Sequence, residues 1–295
     1  LLIAFLVIIN GLNVIHTYVG RDFMSAIEHR DHAGFLRMAW IFVGVFALST
    51  IAAVAFRYLE ERLGLLWRNW QTRQVLDLYL DRQAYYRLEE EGELPNPDQR
   101  ISEDIRTFTT STLSFVLMML NASITVIAFS GVLWSISPRL FVIAVLYAIA
   151  GSTLTILVGK RLIGLNSRQL DMEANFRSEL LTARENASSI ALLYREPHLH
   201  RRLLARLDDL VLNTRRMISI NRRLGFYTNG YNYLIQLIPA LIVAPMFMDG
   251  SVSFGVITQS AMAFAALMGA FSLAVTQFQS ISSYAAVLGR LERLV

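Results

Sequence analysis

Six stretches of this chain are each long and apolar enough to cross a bilayer, and that pattern restricts the fold more than any motif does. A spanning helix needs roughly 20 consecutive, mostly apolar residues. The runs are Leu1–Val19, Phe35–Phe56, Thr112–Trp134, Leu140–Ile163, Tyr231–Met248 and Phe254–Leu288. Of the 295 residues, 54% are hydrophobic and 17% charged, with a mean hydropathy of +0.44. A soluble domain carries about 25% charged residues, so the spacing and composition together predict an all-α, six-helix membrane domain. The opening run could serve as a signal-peptide core. No basic region precedes it and no small-residue cleavage site follows, so it is read as the first membrane helix of a domain within a longer chain.

Charge orients the bundle. Arg57–Arg106 holds 8 Lys and Arg and Lys160–Arg223 holds 13; with Arg290 and Arg293 these make 23 of the 27 in the chain. Only Arg21, Arg30, Arg37 and Arg139 fall on the other side. The positive-inside rule then places the long segments Arg57–Ser111 and Gly164–Gly230, and both termini, in the cytoplasm. The segments Gly20–Gly34, Ser135–Arg139 and Asp249–Ser253 are read as short loops on the opposite face or between spans.

Both long segments keep helical spacing of apolar residues, so they are expected to extend the membrane helices rather than form separate domains. The first contains the polar stretch "NPDQR". Asn96 suits an N-cap, Pro97 the first helical position, and Gln99 the capping-box position. Asp98, Glu103 and Asp104 suit the positive end of a helix dipole, and Arg100 and Asp104 have ion-pair spacing. A helix from Asn96 to Trp134 would have 39 residues and a length of roughly 58 Å, about twice the hydrocarbon thickness. Pro197 is expected to end a helix near the second reversal.

"WRNWQTRQVLDLYLDRQAYYRL" followed by "NPDQRISEDI" resembles the transmembrane domain of ABC transporter subfamily D, and especially its bacterial YddA- and BacA-like relatives. A second match, "KRLIGLNSRQLDMEANFRSELLTARENASSIALLYRE", is similar to the family's EAA-like region. There Ser188 stands in place of Glu, Leu192 and Leu193 replace Phe-Tyr, and Arg195 occupies the Gly position.

The resemblance covers essentially the whole chain. It implies the type IV exporter fold with long cytoplasmic helix extensions, two copies of the chain forming a homodimer, and alternating access. It also implies a downstream nucleotide-binding domain that supplies ATP and Mg chemistry. Two coupling regions onto that domain would comprise Asn96, Pro97, Asp98, Gln99 and Arg100, and Asn186, Ser189, Leu193, Tyr194 and Glu196. The expected location is a bacterial inner membrane, and the expected cargo is peptides or cobalamin-like, amphipathic molecules. Nucleic acid is not an expected partner. The alternatives are a BacA-like proton-driven transporter without an ATPase domain, and a membrane scaffold without transport.

No enzyme site is legible. The nearest approach to a P-loop, "GSTLTILVGKR", has the wrong glycine spacing and Arg161 where Ser or Thr is needed. It reads instead as a small-residue packing face at Gly151 and Ser152. The chain has no Cys, so disulfides, zinc-thiolate sites and iron–sulfur clusters formed by its own side chains are excluded. His16, His29, His32, His198 and His200 are read as surface residues, and no metal site is expected.

Polar residues inside spans are costly and mark cavities or interhelical contacts. Those proposed for a substrate path are Asn10, Asn13, Asn121, Gln236, Gln259 and Gln277; His16, Thr125 and Thr276 accompany them. Ala261, Ala265 and Gly269 recur every four residues and suit close helix packing, in the expected dimer. Pro239 and Pro245 are expected to bend the fifth span. All 23 acidic residues fall in loops, extensions or span ends, which favours ATP drive over a proton-driven carrier.

Overall fold

The structure, a computed structural model, describes residues 1–81, 86 and 100–276. Every regular element in the described residues is helical. In chain order these are α1 (Leu2–Glu28), α2 (His32–Leu80), a π-helical turn at Arg100–Asp104, α3 (Ile105–Ile136), α4 (Pro138–Glu185), α5 (Ala187–Leu192), α6 (Glu196–Met248) and α7 (Gly255–Thr276). Four of them, α1, α2, α3 (with part of the π-helical turn) and α6, carry a window long and apolar enough to span a membrane, as does the Gly255–Ser272 part of α7. A shorter apolar segment, Pro138–Leu154, opens α4.

Helices α2, α4 and α6 are 49, 48 and 53 residues long, or roughly 70–80 Å each at 1.5 Å per residue. The polar tracts after the second and fourth apolar runs therefore do continue as helix. The expected loop over Gly20–Gly34 shrinks to His29–Asp31. Ala26 and Ile27 carbonyls accept from Asp31 and Arg30 amides at 3.0 and 3.1 Å, a Schellman closure that needs a left-handed residue. Arg30, at φ 55°, supplies it. Asp31 then caps α2, its Oδ1 accepting from the Ala33 and Gly34 amides at 3.1 and 3.0 Å. Local hydrogen bonding thus extends both helices beyond their apolar runs.

The chain divides into two compact units, residues 1–148 with 235–295, and residues 149–234. In the first unit α1 packs on α2, α3 and α7, and α3 packs on α2 and α7. Its core is built at helical spacing by Phe129, Val132 and Leu133 of α3, Leu140, Ala144 and Ala148 of α4, Val243 of α6, and Ala263, Phe264, Leu267 and Met268 of α7. The alanines every four residues of α4 let the large side chains of α3 and α7 approach. Phe264, fully buried, meets the Tyr147 ring at 5.9 Å between centroids.

The second unit is a helical hairpin. Asn213 of α6 donates through Nδ2 to the Leu165 carbonyl and to Gln169 Oε1, at 3.1 and 2.9 Å. Nearer the reversal, Glu179 receives Arg202 at 2.6 Å and Arg206 at 3.3 Å on its two oxygens. The Arg202 hydrogen bond, with Arg206 adding to it, holds the Glu179 carboxyl below the usual carboxylate range. The glycine-containing stretch Gly151–Arg161 is helical throughout within α4, and a side chain at Gly151 would collide with the Tyr231 ring.

Candidate functional site

The intramembrane polar residues separate into two groups. Asn10 is buried and fully engaged. Its Nδ2 donates to the Leu6 carbonyl and to Asn121 Oδ1, both at 2.9 Å. Its Oδ1 lies 2.7 Å from Thr125 Oγ1, whose single proton it shares with the Asn121 carbonyl at 2.8 Å. This network fastens α1 to α3, and Asn10 is not among the residues that line the neighbouring cavity.

One helical turn along α1, the polar groups open onto a cavity of about 360 Å³. Asn13, His16 and Thr17 line it from α1, Asn121, Thr125 and Phe129 from α3, and Met262, Ala266, Gly269 and Ala270 from α7. Pockets for small ligands run from about 300 to 1,000 Å³. The sequence spacing explains the grouping: residues 13, 16 and 17 share one helix face, as do 121 and 125. His16 is therefore a wall of this cavity, half-buried against the Phe42 ring at 4.5 Å, a correction to its reading as a surface residue. The other four histidines are exposed. Sequence reasoning missed Thr17, and the small α7 residues Ala266 and Ala270 carried no polar signal of their own; the packing of α1 against α7 brings them to the site.

Gln259, on the α7 face that carries Met262 and Ala266, is 1% exposed, and its Nε2 has no hydrogen-bond partner among the described residues. Gln236 is exposed on α6 and does not join the cavity. Gln277 lies outside the described residues; Thr276 ends α7. Ala265 and Gly269 are exposed and Ala261 is half-buried. The helix α6 runs through Pro239 and Pro245 without interruption.

At one end of this unit α1 caps α7 in trans. Glu28 Oε2 accepts from the Phe254 amide at 3.1 Å, and Ser25 Oγ meets Ser253 Oγ at 3.0 Å and accepts from the Gly255 amide at 3.3 Å. Carboxylate and hydroxyl thus occupy the positive end of the α7 dipole. A Cβ at Gly255 would fall on the Arg21 carbonyl oxygen, so only glycine allows this approach. Elsewhere, a groove of about 460 Å³ between α2 and α3 is lined by Arg57, Glu60, Glu61, Arg68 and Arg106 with Leu65 and Leu113; Arg57 pairs with Glu61 at 3.1 Å.

Of the first expected docking tip, Asn96, Pro97, Asp98 and Gln99 lie outside the described residues. Arg100 opens the π-helical turn, which corrects the expectation of uniform α-helix from Asn96 to Trp134. Behind that turn Val75, Ile101 and Ile105 form a small buried cluster.

The second tip is fully described. Asn186 precedes the six-residue α5 and donates to the Thr182 carbonyl at 2.9 Å. The Leu193 amide donates to the Ser189 carbonyl at 3.1 Å. The Tyr194 and Arg195 amides close a Schellman motif on the Ala191 and Ile190 carbonyls at 3.4 and 3.1 Å. Tyr194 takes the left-handed conformation, φ 51°, where glycine is usual. Glu196 starts α6, so Pro197 sits in the first turn of a helix instead of ending one. The physical reason is that proline's missing amide costs nothing in a first turn. Leu192, Leu193 and Tyr194 are 80%, 67% and 85% exposed, an apolar tip without a cover in this unit.

A family model described as ABC transporter transmembrane region 2 matches residues 1–248. The chain belongs to this family. Chloroplastic ABC transporter D family member 2 of Arabidopsis thaliana is 40% identical over 281 residues, covering 95% of this chain and 40% of that protein. An uncharacterised ABC transporter ATP-binding protein of Synechocystis sp. is 38% identical over 98% of this chain and 44% of its own length. The inner membrane ABC transporter ATP-binding protein YddA of Escherichia coli is 26% identical over 99% of this chain and 56% of its own. This ABC transmembrane region therefore spans about half the length of these relatives, and its identity to the plastid and cyanobacterial proteins exceeds that to YddA.

Proposed function

We propose that this chain is the six-helix membrane half of an ATP-driven ABC transporter with the type IV exporter fold. It would act as a homodimer coupled to two nucleotide-binding domains that contribute ATP and Mg. The observation that carries this reading is the family match over residues 1–248 together with relatives about twice as long, of which the Synechocystis and Escherichia coli proteins are named as ATP-binding. Five apolar helical windows and the apolar start of α4 support six spans. Helices of 48 to 53 residues are more than twice as long as the roughly 30 Å of hydrocarbon; the excess length of α2, α4 and α6 is assigned to the cytoplasm by the arginine distribution. The exposed Leu192–Tyr194 tip and the Asn96–Arg100 stretch would dock on the nucleotide-binding domains and transmit their closure to the bundle. Cargo would be peptides or cobalamin-like, amphipathic molecules, and the membrane a bacterial inner (cytoplasmic) membrane.

The test is ATP hydrolysis by the full-length protein in lipid discs, challenged with peptide and cobalamin panels. Stimulation by a panel member supports the reading; a basal rate of zero with an intact fold removes it. His16, a titratable side chain within a span, is the one feature that favours the proton-driven alternative. Uptake driven by a proton gradient without nucleotide would establish that alternative instead.

A further inference from the structure

The hydrogen bonds around the α1–α3–α7 cavity leave a defined set of groups unspent. Asn10 and Thr125 use their polar atoms on each other and on Asn121, and Thr17 Oγ1 donates to the Val14 carbonyl at 2.8 Å. Among the described residues, the Asn13 carboxamide, the Asn121 Nδ2 and the His16 imidazole have no hydrogen-bond partner. Within a span such groups are costly unless a cavity or a partner meets them, so they are free to face a polar ligand or the water it displaces.

The chemistry of the walls sets what that ligand can be. Two carboxamides and an imidazole offer donors and acceptors, but among the described residues no carboxylate, lysine or arginine lines the cavity. A charged ligand group would be desolvated there without a fixed counter-charge. The remaining wall, Phe129, Met262, Ala266, Gly269 and Ala270, is apolar.

We infer that the cavity lined by Asn13, His16 and Asn121 is a substrate subsite for an uncharged amide or hydroxyl group carried on an apolar body, with His16 as the residue that sets its charge preference. This rests on the reading of the chain as a transporter's membrane domain and narrows its cargo. Neutral amides enter and permanent cations and anions do not. The side chain at position 16 decides this because, among the described residues that line the cavity, it alone can carry charge.

The test exploits the absence of cysteine from the chain. Asn13→Cys in the full-length protein in lipid discs is exposed to methanethiosulfonates bearing hydroxyethyl, sulfonatoethyl or trimethylammonioethyl groups. Rates are read by mass spectrometry and normalised to His32→Cys, an exposed position. The neutral reagent is expected to react at least tenfold faster than either charged one. N-acetyl-trialanine amide at millimolar concentration is expected to slow the reaction at least threefold, whereas zwitterionic trialanine does not. Adding His16→Arg should shift the preference to the anionic reagent, and His16→Gln should leave it neutral. A thiol facing lipid would show neither the peptide protection nor the switch.

Equal rates for charged and neutral reagents, no labelling at all, or protection by the zwitterion as strong as by the amide would overturn the inference. Those results would leave ATP-driven transport standing. Conversely, a protein without ATPase activity that still shows the labelling pattern would overturn the ATP-driven reading and keep the subsite's charge selectivity.

Discussion

Replacing Asn10 by alanine removes both hydrogen bonds that join α1 to α3, one donated to Asn121 Oδ1 and one accepted from Thr125. Interhelical hydrogen bonds in membrane proteins average about 0.6 kcal/mol and reach about 1.7, so two of them set a range of about 1.2–3.4 kcal/mol. The structure points to the lower part of this range. Thr125 can turn its proton fully to the Asn121 carbonyl at 2.8 Å, and Asn121 borders the cavity, where water can replace the lost amide. We therefore expect Asn10→Ala to cost about 1–2 kcal/mol.

Asn13→Ala, three residues away and without a hydrogen bond among the described residues, should stay within about 0.5 kcal/mol. The measurement is reversible unfolding in mixed micelles followed by tryptophan fluorescence, with a double-mutant cycle of Asn10→Ala and Thr125→Val. A coupling energy below about 0.3 kcal/mol, or equal costs at positions 10 and 13, would refute the division of these residues into a tie and a cavity wall.

Three further outcomes follow from the local geometry. Gly255→Ala should destabilise by about 1–3 kcal/mol or more, seen as a lower thermal midpoint, because its methyl would displace the Arg21 carbonyl. Tyr194→Gly relieves a left-handed tyrosine worth about 1–2 kcal/mol, less the 0.5–1 kcal/mol glycine loses on ordering. Stability should hold or rise by up to about 1.5 kcal/mol, while ligand-stimulated ATP hydrolysis by the full-length protein falls if the tip docks. For Glu179 the folded-state pKa is lowered, so the clamp's contribution is present above the ordinary carboxylate range and lost as pH falls through the lowered value. Thermal scans from about pH 7 downward should therefore diverge for wild type and Glu179→Gln near neutrality and converge at acid pH.

What could be read from residues alone shared one property: it depended on neighbours close in sequence. An apolar run of about 20 residues demands a spanning helix wherever it sits, because an unpaired backbone cannot enter hydrocarbon. The helical continuations past Arg57 and Gly164 were legible from periodicity for the same reason, and the W-R-x-W and N-P-D-Q-R-I motifs carried the family. Reversals were less legible. Left-handed Arg30 and Tyr194 replace the glycine that would have announced them, and Pro197 looked like a terminator because a first-turn and a post-helix proline leave similar local signatures.

The site itself depended on tertiary structure. Asn10 and Asn13 are the same residue type one turn apart in the same span. One is buried in a network with α3 and the other opens onto a cavity, and no local pattern separates them. Partners 111 and 115 residues away decide it for Asn10, just as Ser253 and Phe254, 228 and 226 residues from Ser25 and Glu28, decide the capping of α7. The sequence by itself determined that this chain spans a membrane and to which family it belongs, since apolar length and motif are local. Which polar groups are spent on holding helices together, and which are left to meet a ligand, was decided only by packing, because a hydrogen bond is made between groups that the fold, and not the chain order, brings within 3 Å.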